Sequence, residues 1–231
     1  MRVNVAGLEL GPFAARCVLL SCEATGEALV VDPGFEPEAV IAAVRERALR
    51  PTALVLTHAH VDHAWGTAAL KAAFPEARVL LHEDDLPLYG NLVGQSQLFG
   101  LPSPGLVPHD GLLRDGETLA FGHERVLVRH CPGHSPGHVV LIGKNTPEPL
   151  AVVGDVLFAG SIGRTDLWGG SLPQLLRSIR EVLYPLPDAT RVIPGHGPET
   201  TIGAEKRDNP FATPSEPVAS EENPAAPGGV G

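Results

Sequence analysis

The chain has 231 residues, 43% of them hydrophobic and 19% charged, with a formal net charge of −10 at pH 7. That length can bury a sizeable core as one large domain or two small ones. The acidic balance argues against nucleic acid as the main partner, because phosphate binding relies on clustered Lys and Arg. Local Arg residues or metal ions can still reverse the field inside a cleft, so a small anionic substrate stays compatible.

Val3 to Leu10, Arg16 to Cys22 and Ala28 to Val31 read as short strands separated by turn residues, and Asp32-Pro33-Gly34 stops the third. Pro37 to Ala48 carries Val40, Ile41 and Val44 at helical spacing. The apolar run Ala53 to Leu56 predicts a strand, followed by Thr57-His58-Ala59-His60-Val61-Asp62-His63 on a loop and by an Ala-rich helix from Ala64 to Phe74. Arg78 to Leu81 predicts a strand and Glu83 to Leu88 a brief helix; Gly90 to Gly116, rich in Gly and Pro, reads as a long functional or mobile loop.

Thr118 to Phe121 and Arg125 to Arg129 predict paired strands, and further strands fall at Val139 to Ile142, Leu150 to Val153 and Arg191 to Ile193. A turn is expected over Lys144 to Pro149. Leu172 to Leu183 is helical by its apolar stripe, and a short helix is expected over Ile202 to Arg207. From Thr213 the chain turns to Pro, Ala, Glu, Ser and Gly, too few apolar groups to offset ordering entropy, so residues 213–231 are expected to be a disordered tail after a domain of residues 1–212.

Cys17, Cys22 and Cys131 are odd in number and form no C-x-x-C pair, which predicts buried thiols rather than a disulfide framework. The N-terminus lacks the apolar core of a signal peptide, and no run approaches the roughly 20 apolar residues that cross a bilayer. A cytoplasmic protein with no membrane partner is the expectation; nothing in the sequence sets its oligomeric state.

The chemistry concentrates where predicted strands end. His58, His60, Asp62 and His63 follow one strand, His134 another, and Asp155 and His196 end two more, with Gly or Pro close by to turn the backbone. Seven imidazole and carboxylate groups exceed what one four-coordinate ion needs. Shared between two ions, they suit metal-assisted hydrolysis. His82, His109 and His123 read as solvated or structural, and His138, in a second Pro-Gly-His four residues after His134, as structural or supporting rather than ligating.

His-Ala-His-Val-Asp-His at 58–63, Cys131-Pro132-Gly133-His134-Ser135-Pro136-Gly137-His138, Gly154-Asp155 and Gly195-His196-Gly197 together resemble the metallo-β-lactamase fold superfamily. With Val31-Asp32-Pro33-Gly34, Gly163-Arg164-Thr165-Asp166 and Asn209-Pro210-Phe211, the chain is similar to its short glyoxalase II-like (hydroxyacylglutathione hydrolase) group over residues 1–212. The resemblance implies an α/β fold, a four-layer αββα sandwich with metals at one edge of the two sheets.

It implies that His58, His60 and His134 hold a first divalent metal, that Asp62, His63 and His196 hold a second, and that Asp155 bridges them. Zinc is expected, with iron or manganese as alternatives. Asp32 is the implied carboxylate that orients ligands of the His-rich loop, and Arg164 is a candidate substrate contact. The implied reaction is hydrolysis of a small thioester, S-lactoylglutathione or a related acyl-glutathione, by metal-activated water that Asp62 helps to orient.

The alternative is a persulfide dioxygenase of the same superfamily, with one iron on His58, His134 and Asp155. A lactamase is disfavoured because its second site commonly carries Cys where Asp155 stands. A silent binding module is disfavoured because no ligand is missing. The basic C-terminal helical region by which longer glyoxalase II enzymes grip glutathione is absent from this sequence; only Lys206 and Arg207 precede the tail.

Overall fold

The computed structural model describes residues 3–143 and 148–213. The anticipated tail, apart from Thr213, and most of the turn expected over Lys144 to Pro149 lie outside the described residues. Fourteen strands and seven α-helices follow one another as β1 (Val3–Leu10), β2 (Ala15–Cys22), β3 (Glu27–Val31), α1 (Pro37–Glu46), β4 (Arg50–Val55), α2 (Val61–Ala64), α3 (Thr67–Ala73), β5 (Arg78–His82), α4 (Leu86–Gly90), α5 (Leu92–Leu98), β6 (Gly111–Leu113), β7 (Thr118–Phe121), β8 (Glu124–His130), β9 (Val139–Gly143), β10 (Leu150–Gly154), β11 (Leu157–Phe158), β12 (Ser161–Ile162), α6 (Leu172–Ser178), β13 (Arg191–Pro194), β14 (Thr200–Thr201) and α7 (Ile202–Asp208).

Two six-stranded sheets result, ordered β1-β2-β3-β4-β5-β6 and β14-β13-β10-β9-β8-β7. The first runs antiparallel through β1, β2 and β3, then parallel through β4, β5 and β6. In the second, only β10 and β13 are parallel.

Strand alternation builds the layers. Leu29 and Val31 of β3 and Val139 and Leu141 of β9 point into the core between the sheets. Their neighbours point outward: Val30 packs with Val40 and Val44 of α1 and Leu70 of α3, and Val140 and Ile142 pack with Leu175 of α6 and Ile202 of α7. Both faces of each sheet are therefore buried at its central strands, which is why these strands read as nearly unbroken apolar runs. The order is helix, sheet, sheet, helix, as expected.

Two local expectations are corrected. The helix anticipated from Ala64 is split: Val61–Ala64 forms one turn, and a new helix starts at Thr67 after Trp65-Gly66. Asp62 and His63 thus stand on a helical turn rather than on the loop. Gly66 is required at the break, because a Cβ there would lie 2.3 Å from the Gly34 carbonyl oxygen. The stretch from Gly90 to Gly116 is not one long loop, since it contains α5 and β6. Among the described residues no helix is long and apolar enough to cross a membrane.

Candidate metal centre

Strand ends deliver the polar groups to one edge of the paired sheets. The chain leaving β4 carries His58 and His60 and runs into α2 with Asp62 and His63; the β8–β9 connection carries His134; Asp155 follows β10 and His196 follows β13. Gly154 precedes Asp155 with φ +47°, a left-handed turn that glycine adopts without strain. At Gly195 a Cβ would sit 2.2 Å from Asp155 Oδ1, so only glycine lets that backbone pass the carboxylate.

All seven groups converge. His134 Nε2 lies 2.8 Å from His60 Nδ1 and 3.3 Å from His58 Nε2. His196 Nε2 lies 3.2 Å from both His63 Nε2 and Asp62 Oδ2. Asp155 reaches both groups, with Oδ2 3.6 Å from His134 Nε2 and 3.5 Å from His196 Nε2, and Oδ1 3.4 Å from His63 Nε2.

Hydrogen bonds on the far side of the rings set the tautomers. The Nδ1–H of His58 donates to Thr57 Oγ1, that of His63 to Asp32 Oδ2, that of His134 to the Arg164 carbonyl and that of His196 to the Phe13 carbonyl, at 3.0, 3.0, 2.8 and 3.0 Å. When neutral, each of those rings then turns an Nε2 lone pair inward. Asp32 is held at φ +53° and anchors this arrangement. Its Oδ1 accepts from the Thr57 N–H and its Oδ2 from the Thr57 hydroxyl, both at 2.7 Å.

Surroundings divide the seven electrically. Burial, reinforced by neighbouring imidazoles, holds His58 well below its ordinary pKa and His60 down to about 3. Burial brings His134 down to about 4 against the opposing bond to Arg164. Burial also opposes charge on His63, but Asp155, Asp62 and Asp32 outweigh it and push the imidazole up to about 10. His196 rises for the same kind of reason, its hydrogen bond to Asp62 overcoming burial. Burial would raise Asp62, yet His63 and His196 hold its carboxylate well below the ordinary range. Burial pushes Asp155 up.

The donor set suits two cations. Nitrogens about 2.0–2.1 Å from a tetrahedral zinc ion stand about 3.3 Å from one another, and the His58–His134 separation is 3.3 Å. The neutral His58 and His134 rings, facing Nε2 to Nε2, with Asp155 Oδ1 buried and lacking a hydrogen-bond partner, are the arrangement that a shared positive charge satisfies. Two triads within ligand reach, His58-His60-His134 and Asp62-His63-His196, express the same division.

Other histidines behave differently. His138 is fully buried, accepts the Asp155 N–H on Nε2 at 3.0 Å and stacks on His58 with centroids 4.8 Å apart. It thereby holds the Asp155 backbone and the His58 ring. His82 and His130 stand near Asp84, but their rings stack face to face at 4.1 Å and 8°, so in-plane lone pairs run side by side instead of converging. His109 and His123 are exposed. Arg164 lines the cleft, with its guanidinium bound to Asp166.

Three supporting side chains carry no motif that sequence patterning picks out. Asp85, fully buried, accepts from the Ala59 N–H, the Ser135 hydroxyl and the Gly137 N–H at 2.9, 2.9 and 2.6 Å, tying the two His-bearing loops together. Gln95 on α5 accepts from the Val61 N–H and donates to the Ala59 and Leu88 carbonyls. Arg16 reaches across from the first sheet to the Pro194 and Gly197 carbonyls on either side of His196. The available signals are weak: an Asp in an acidic run, a Gln in a polar stretch and an Arg opening an apolar strand.

Two facing sheets with paired His and Asp groups at their common edge define a metal-dependent hydrolase scaffold. The chain belongs to the metallo-beta-lactamase superfamily, whose family model matches residues 10–196. It is 38% identical over 210 residues to the hydroxyacylglutathione hydrolase GloC of Haemophilus influenzae, covering 90% of this chain and 98% of that one. Among solved structures it is similar to BLEG-1 B3 metallo-beta-lactamase (TM-score 0.84, 40% identity, 91% of this chain and 100% of that one). It is also similar to TTHA1623 in a di-iron-bound form (TM-score 0.79, 40% identity, 89% and 99%).

Proposed function

We propose that the chain is a two-metal thioester hydrolase of the glyoxalase II-like group, with S-lactoylglutathione or a related acyl-glutathione as candidate substrate. The observation that carries this reading is the complete second ligand group, Asp62, His63 and His196, within reach of an Asp155 that also touches the first. The name and near-complete coverage of the Haemophilus relative support the substrate class.

His58, His60 and His134 would hold one ion, Asp62, His63 and His196 the other, and Asp155 both. When bound, such ions supply Lewis acidity at an acyl oxygen and a lowered pKa for water. Zinc is the leading candidate; the di-iron form of TTHA1623 keeps iron in contention, and manganese suits the same donors.

Asp62 lines the cleft and is held ionised, so it can accept a hydrogen bond that orients the attacking water. His63 and His196, fixed by Asp32 and the Phe13 carbonyl, keep that carboxylate in place. The leaving thiolate is a weak base and needs little general-acid help. The reading includes a small-molecule substrate, no nucleic-acid or membrane partner and a cytoplasmic setting. The net charge of −10 and the three buried free thiols support it.

The single-iron persulfide dioxygenase reading employs His58, His134 and Asp155 and leaves His60, Asp62, His63 and His196 without a role. Metal content decides, measured beside S-lactoylglutathione hydrolysis, oxygen uptake with glutathione persulfide and, given BLEG-1, turnover of a β-lactam. Two metals per chain with thioester hydrolysis is the expected result. One iron with oxygen uptake and no hydrolysis would overturn the proposal, as would β-lactam turnover alone.

A further inference from the structure

Beyond its polar floor the cleft is mostly apolar, with Asn91, Gln95, Ser161 and Arg164 as the polar residues of its wall. It encloses about 720 Å³, with His60, Asp62, His134, Asp155 and His196 at its base. Phe13, Leu98, Phe99, Phe158, Leu167 and Trp168 stand around them. Leu98 is 83% exposed, Trp168 60% and Phe99 54%. Scattered apolar side chains on a surface are ordinary; several gathered at the mouth of a polar site mark a place where a ligand's apolar part is taken from water.

Charge on the same wall points the same way. Among the described residues, outside the ligand groups the only charged side chain lining the cleft is Arg164, whose guanidinium bonds to Asp166 at 2.7 and 2.8 Å. The Gln95 amide is spent on the Ala59, Val61 and Leu88 backbone. A glutathione carrier brings carboxylates and an ammonium group, and this wall offers them one cation that already has its counter-charge.

We infer that the cleft recognises its thioester through an apolar acyl chain held between Leu98, Phe99 and Trp168, with the charged thiol carrier contributing little, so that the preferred substrates carry acyl groups longer than lactoyl. The inference rests on the thioesterase reading for its chemistry, but not for its binding. Each methylene removed from water contributes up to about fourfold in affinity or in kcat/KM.

Two measurements on the full metal-loaded chain test it separately from that reading. The first is affinity for S-methyl-, S-butyl- and S-octylglutathione, thioethers with no acyl carbonyl to cleave, by calorimetry. Octyl should bind at least about tenfold more tightly than methyl, and Trp168→Ala should weaken octyl more than methyl. Equal affinities, or equal losses in the variant, would overturn the inference. The second is hydrolysis of acetyl-, hexanoyl- and octanoylglutathione, where kcat/KM should climb with chain length and a flat or falling series would overturn the inference. Tight octyl binding without cleavage of any thioester leaves the apolar recognition standing and removes the thioesterase reading instead.

Discussion

The two candidate ligand groups share an edge and both face the Asp155 carboxylate, yet their surroundings push their imidazoles in opposite directions. His58, His60 and His134 face one another, and burial together with the neighbouring imidazoles outweighs the nearby carboxylates and favours the neutral rings. His63 and His196 stand among Asp32, Asp62 and Asp155, whose charges outweigh burial and favour a cation. One group is prepared by excluding protons and the other by collecting negative charge. The difference teaches that a metal site can be preorganised by desolvation or by charge, and that adjacent sites in one protein can use both.

Removing the link should have the largest effect. Asp155→Ala is expected to lower kcat by on the order of a thousandfold and to reduce the bound metal; near-normal kcat with two metals retained, by plasma emission and steady-state assay, would sink the bridging role. Asp32 supports both groups, His63 directly and His58 through Thr57. Asp32→Ala should therefore weaken both metals by about 10- to 100-fold, measured by competition with a chelating dye. His196→Ala, by contrast, should leave one tightly held metal and lose the other. Equal loss of both would mean that the groups are not separable.

Chelated protein sharpens the contrast through pH. Histidines whose folded pKa falls from 6.5 to about 3 or 4 withdraw stability as pH drops below 6.5, because only the unfolded chain takes up the proton. His63, raised from 6.5 to about 10, contributes stability that is complete below 6.5 and lost as pH rises through 10. Thermal unfolding of the chelated protein should thus peak between these windows and decline on both sides, whereas a monotonic curve would contradict the division. The smallest expected effect is at Asp85: Asp85→Asn trades an acceptor for a donor facing donors and should cost about 1–3 kcal/mol in denaturant unfolding.

Much of this was legible in the chain. The central strands show as apolar runs because both faces are buried, and the ligand residues stand out because they crowd after strand ends beside Gly and Pro. The α2 turn was not legible, since four residues are too few to show a helical period. Nor was α5, whose polar positions break any apolar stripe. Asp85, Gln95 and Arg16 were hidden for a different reason. Their residue types normally mark solvated surface, and only distant backbone donors and acceptors turn them inward.

The sequence by itself determined the donor chemistry: five imidazoles and two carboxylates gathered after strands, in an order that resembles the metallo-beta-lactamase superfamily. What the tertiary structure alone decided is which lone pairs meet and what charge each group prefers. Those depend on acceptors far away in the chain, such as the Phe13 carbonyl behind His196 and the Arg164 carbonyl behind His134. They depend equally on how deeply each ring is cut off from water. Hydrogen-bond direction and desolvation are properties of positions in space, and no local pattern of residues carries them.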